Sequence, residues 1–109
     1  MENTQRTILL NALPLNALPR QQLHLYIRPI SMEEIRNYVQ GQIVNYIRHQ
    51  STVNVLNEIL GLNGLQPNSG IYQWRQNDRL IIVTLRNAVR GGEVSVTLDD
   101  LEAWVVEVE

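Results

Sequence analysis

Apolar positions along the chain change period several times, and each change marks an element. Residues 7–12, TILLNA, form a short apolar run ending in turn formers, which predicts a buried strand. LPLNALPR follows as a loop broken by Pro14 and Pro19. In LHLYIRP, Leu23, Leu25 and Ile27 alternate with His24, Tyr26 and Arg28, the period of a half-buried strand, and Pro29 is expected to end it. Ser31 with Glu34 three residues later is a capping-box signature, so a helix is expected from there to about Gln40, closed by Gly41.

QIVNYI then reads as extended. Thr52, Val55, Leu56, Ile59 and Leu60 recur at the three-and-four spacing of a helix with one apolar face, with Ser51 as N-cap and Gly61 where a left-handed C-cap is wanted. LNGLQPNSG is a loop, and IYQW and RLIIVTLR are two apolar runs separated by RQND, which predicts a hairpin. NAVRGGE reads as a tight loop or bulge. Thr97 is placed to cap a last helical turn whose acids are Asp99 and Asp100, and WVVEV alternates as a final edge strand. Strands mixed with two helices imply an α/β, more strictly mixed α+β, fold: a single mixed β-sheet of about five strands flanked by helices.

Length and composition narrow the choices. At 109 residues the chain fits one domain, 1–109, small enough that pairing with a second copy would add stability. No apolar run approaches the roughly 18 residues of a membrane span, and no signal-like segment opens the chain, so a soluble, unsecreted protein is expected. Without cysteine there is no disulfide, thiolate or cysteine-bound zinc, and two histidines argue against a metal site, so neither metal nor cofactor is expected.

The net charge of −2 hides an asymmetry: residues 1–92 carry all nine arginines against five acids, and residues 93–109 carry six acids and no arginine. All nine cations are Arg, which suits bidentate binding of phosphate, although codon usage gives the same pattern. This balance argues against a long duplex-binding surface, whereas a compact phosphate pocket needs only two or three arginines. The segment YIRHQSTVNVL puts Arg48 and His49 directly before a helix start, where unpaired backbone N–H groups and a partial positive charge favour phosphate.

LLNALPLNAL at 9–18, IRHQST at 47–52, ILG at 59–61, Asn68 and the Asn-Asp turn at 77–78 together resemble the viral ring nuclease family of archaeal viruses and bacterial mobile elements. That resemblance implies an anti-CRISPR function: degradation of cyclic tetra-adenylate, the second messenger of type III CRISPR defence, in the cytoplasm of the infected host cell. It also implies a homodimer, whose twofold axis suits the fourfold repetition of the ring. Residue by residue, the family's two strand-end asparagines fall on Asn11 and Asn16, its histidine on His49 and its hydroxyl pair on Ser51 and Thr52. Arg48 stands where the family has glycine, and Pro14 where it has a hydroxyl residue. The family's arginine falls nearest Ala88, flanked by Arg86 and Arg90, and its glutamate falls on Gly91. The implied reaction is metal-independent attack of a ribose 2′-hydroxyl on the adjacent phosphate. His49 would protonate the leaving oxygen, Arg86 or Arg90 would stabilise phosphate charge, and Asn11, Asn16, Arg48, Ser51 and Thr52 would bind the ligand.

Each residue also has a plainer role. A histidine ahead of a helix commonly caps or faces solvent, Asn11 and Asn16 suit a turn around Pro14, and His24 fits a solvent-facing strand position. Two functions of other classes stay open at this level: a module that captures a cyclic oligonucleotide or RNA without cutting it, and a small DNA-binding protein.

Overall fold

The structure, a computed structural model, describes residues 5–39, 41–85 and 97–108. Five strands form one mixed sheet: β1 (Arg6–Leu10), β2 (Leu25–Ile30), β3 (Gln42–Asn45), β4 (Arg79–Leu85) and β5 (Leu101–Val108). Their order is β2-β5-β4-β1-β3, with β1 parallel to β3 and β4, and β5 antiparallel to β2 and β4. Among the described residues one α-helix, α1, spans Gln50–Leu60, and three short 3-10 turns lie at Leu15–Ala17, Ile35–Asn37 and Leu98–Asp100.

Burial on both faces explains why β1 and β4 read as continuous apolar runs instead of alternating ones. Leu9, Ile81, Val83, Ala103 and Val105 point to one face, where Val53 and Leu56 of α1 pack on them with Met32 and Ile35. Ile8, Leu10, Leu80, Ile82 and Val106 point to the other, beneath Tyr72. Leu56 is fully buried, so its side chain contributes about 1.5–3 kcal/mol by transfer from water. Gly61 ends α1 in the left-handed region, at φ 67°, as its position predicts.

Four expectations change. The first helix is only the 3-10 turn Ile35–Asn37, although the capping box forms, with the Ser31 N–H donating to Glu34 Oε1 at 2.9 Å and the Glu34 N–H to Ser31 Oγ at 3.2 Å. Residues 31–41 connect opposite edges of the sheet, a span of four inter-strand gaps, or about 19 Å. Eleven α-helical residues reach only about 16 Å, so the segment does not run as one α-helix; Met32 to Glu34 turn into the 3-10 turn Ile35–Asn37, which rises faster per residue. Second, 71–74 is not a strand and makes no hairpin: both sides of β4 are occupied, by β1 and β5. Third, β5 is not an edge; β2 and β3 are. Fourth, Pro29 lies inside β2, opposite Trp104, because an edge strand has one side without a ladder partner. Ile27 of that strand is 53% exposed, although its alternation with Arg28 predicts a half-buried position. The turn expected at 87–93 lies outside the described residues.

Candidate functional site

Because β1, β3 and β4 run parallel, their carboxyl ends meet at one end of the sheet, the location where ligands bind in sheets with parallel strands. A cavity of about 140 Å³ opens there, lined by Asn11, Ile47, His49, Thr52, Val83, Thr84, Leu85 and Leu101. Asn11 is the residue after β1, Thr84 and Leu85 end β4, and His49 and Thr52 bracket the start of α1.

His49, not Ser51, is the N-cap of α1, with extended backbone (φ −84°, ψ 119°) and no side-chain cap. The first helical hydrogen bond runs from the Val53 N–H to the His49 carbonyl at 3.0 Å. The N–H groups of Gln50, Ser51 and Thr52 precede it and point toward the cavity end of the helix, where the dipole favours an anion. Thr52 is buried and His49 is exposed, so one side chain is fixed in the wall while the other stands at the rim.

The structure therefore brings together Asn11, His49 and Thr52 of the residues singled out in the sequence. Arg48 and Ser51 flank the helix start without lining the cavity, and Asn16 lies exposed on the Leu15–Ala17 turn. Arg86 and Arg90 lie outside the described residues. Thr84 is a site residue that sequence reading missed, because inside RLIIVTL it reads as one more strand residue. Asn57 was missed as well: its amide accepts from the Leu65 N–H at 3.0 Å and donates to the Leu65 carbonyl at 3.2 Å, which ties the 62–70 loop to α1.

Larger clefts lie elsewhere on the sheet. One of about 420 Å³ lies beside β2 and β5, with Glu33, Asp99 and Glu102 on its walls, and would repel phosphate. At the opposite end of the sheet Asp78 is a buried carboxylate with a perturbed pKa. It is already saturated by Arg6, Tyr72 and the Arg75 N–H, which makes it a structural ion pair. Among the described residues no group of three or more His, Asp or Glu is arranged to hold a metal ion, and no helix is long and apolar enough to cross a membrane.

A family model described as STIV B116-like matches residues 7–108. The chain belongs to the STIV B116-like family. Among solved structures it is similar to B116 of Sulfolobus turreted icosahedral virus (STIV), with a TM-score of 0.69 and 22% identity over 93% of this chain and 97% of that one. At that identity the likeness carries the fold of the STIV B116-like family, and the chemistry has to come from the site. Among curated proteins no sequence matches.

Proposed function

We propose that this chain is a ring nuclease that binds cyclic tetra-adenylate as a homodimer and cleaves it without using a metal, removing the signal of type III CRISPR defence. The observation that carries this reading is the convergence of Asn11, from the end of β1, with His49 and Thr52, from the start of α1, on one cavity. A phosphate seated against the first N–H groups of α1 would lie beside the His49 imidazole. The adjacent ribose 2′-oxygen attacks phosphorus in line, and its proton passes to water. The bond from phosphorus to the 5′ oxygen breaks, His49 gives that oxygen a proton, and a 2′,3′-cyclic phosphate remains. Asn11 and Thr52 supply amide and hydroxyl groups for base and ribose. Arg86 or Arg90 would neutralise charge growing on the phosphate.

The test is a single-turnover assay on radiolabelled cyclic tetra-adenylate with chelator present. Wild type should cut, and His49→Ala should cut roughly 10²- to 10⁴-fold more slowly while binding changes far less. Equal rates would end the assignment of His49. A second reading has its own support: the family's arginine and glutamate fall on Ala88 and Gly91 here. Tight binding without cutting by either protein would make the chain a sponge for the messenger.

A further inference from the structure

Asn45, the last residue of β3, is only 8% exposed, an unusual place for an amide in an edge strand. Its side chain holds the backbone just beyond it. Oδ1 accepts from the Ile47 N–H at 3.1 Å, and Nδ2 donates to the Ile47 carbonyl at 3.2 Å and to the Gln66 carbonyl at 2.8 Å. Asn68 closes the other side. Its Nδ2 donates to the Asn45 carbonyl at 3.0 Å, its N–H donates to the Ile47 carbonyl at 3.0 Å, and its Oδ1 accepts from the Gly70 N–H at 2.8 Å. Ile47, gripped on both backbone groups, has its side chain fully buried. Two residues later comes His49, itself without a side-chain cap bond.

The grip explains how the chain leaves the sheet. The Tyr46 N–H still bonds the Leu9 carbonyl at 2.9 Å, so β3 is attached to β1 up to that point. From Ile47 onward the ladder is replaced by the two asparagine amides, and α1 begins three residues later, at Gln50. Only a side chain with both a donor and an acceptor serves at 45: an aspartate would set a carboxylate against two carbonyl oxygens.

We propose that Asn45 and Asn68 are positioning residues for His49, fixing the 45–49 turn so that the imidazole stands at the cavity rim in one orientation; the inference rests on the reading of His49 as general acid. Displacing a proton donor by about 1 Å lowers turnover by up to roughly 10²-fold, so loss of either amide should be felt in rate more than in binding.

Asn68 is exposed, so Asn68→Ala should fold normally; Asn45→Ala carries the larger expected effect. Both are compared with wild type and with Asp78→Asn, which loosens the opposite end of the sheet. The expected result is a kcat lowered about 10- to 100-fold with KM changed less than about 3-fold. The His49 ring signals in nuclear magnetic resonance should broaden or split, while those of His24, the other histidine, stay unchanged. Asp78→Asn should melt earlier yet keep kcat and sharp His49 signals. The proposal is overturned if Asn68→Ala leaves both kcat and the His49 signals as in wild type, or if Asp78→Asn lowers kcat as much. Should Asn45→Ala not fold, Asn68→Ala decides alone. Should wild type itself not cleave, the proposed reaction fails, and the His49 signals of Asn68→Ala still test the positioning.

Discussion

The Arg6 guanidinium meets the Asp78 carboxylate in two parallel hydrogen bonds, 2.9 Å from Nε to Oδ1 and 2.6 Å from Nη2 to Oδ2, across 72 residues of chain. Tyr72 adds its hydroxyl to Oδ2 at 2.5 Å, and the Arg75 N–H adds a fourth bond at 3.0 Å. This cluster ties β1 to the segment leading into β4, where Thr7 faces Arg79, at the end of the sheet away from the cavity.

Burial alone would raise the Asp78 carboxyl, but the bonds from Arg6, Tyr72 and Arg75 outweigh it and hold the group below the ordinary carboxylate range. A depressed folded-state value means stability that is present above the unfolded value of about 3.9 and lost as pH falls through the folded value. Thermal melts of wild type should therefore weaken below about pH 4, and those of Asp78→Asn should weaken less steeply. At neutral pH Asp78→Asn should cost about 3–5 kcal/mol, the range for removing one member of a buried pair. A loss below about 1 kcal/mol would make the pair ornamental.

Much of the fold was legible because burial is written in periodicity. α1 and its Gly61 cap, β4 and the Thr97 capping box, whose N–H and hydroxyl both meet Asp100, are where the pattern puts them. Topology was less legible. WVVEV alternates like an edge strand, yet β5 sits between β2 and β4, and nothing local distinguishes the two placements. At the site, a helix start just after Arg48 and His49 could be read from spacing to within two residues, and Asn68 stood out only through the family resemblance, whereas Asn45 and Asn57 read as ordinary polar residues because their bonds are to backbone that folding brings near. Ser51 was the better cap by composition, yet His49 holds the position, with extended backbone and no side-chain cap bond.

Gly41 tests the crossover between the sheet edges. It has φ 66°, and a Cβ built on it would fall on the Gln5 carbonyl oxygen, the acceptor of the Gln42 N–H at 3.1 Å that opens the β1–β3 pairing. Gly41→Ala combines left-handed strain with that clash, so it should cost at least about 1–3 kcal/mol, read as a lowered denaturation midpoint. A neutral result would mean that the 39–42 backbone turns differently.

Ligand class can be tested by salt. The cavity end offers helix N–H donors, while the neighbouring cleft carries Glu33, Asp99 and Glu102, which oppose a long phosphate backbone lying across both. Duplex DNA should bind no better than about 10⁻⁴–10⁻⁶ M at physiological salt and weaken steeply as salt rises. Cyclic tetra-adenylate should persist in moderate salt, and Glu33→Gln with Asp99→Asn should strengthen duplex binding while leaving the ring unaffected. Duplex affinity equal to that for the ring would favour a DNA-binding role.

Stoichiometry follows from the size of the cavity. At about 140 Å³ it is smaller than the roughly 300–1,000 Å³ of an ordinary small-molecule pocket, and a ring of four nucleotides is larger than most such ligands. On the proposed reading one chain would offer a half-site, and two copies related by a twofold axis would present two identical ones to a ring whose fourfold repetition contains that twofold. Titration calorimetry should give one ring bound per two chains, and light scattering a mass twice the 12.6 kDa of a single chain. The axis must bring two α1 starts together, so substitutions at Asn11 or Thr52 should weaken ring binding without altering the mass, by about 1–3 kcal/mol if a buried partner is left unpaired. Binding of one ring per chain by a protein of monomer mass would mean that the site is complete within one copy, and the dimeric cleft would have to be abandoned.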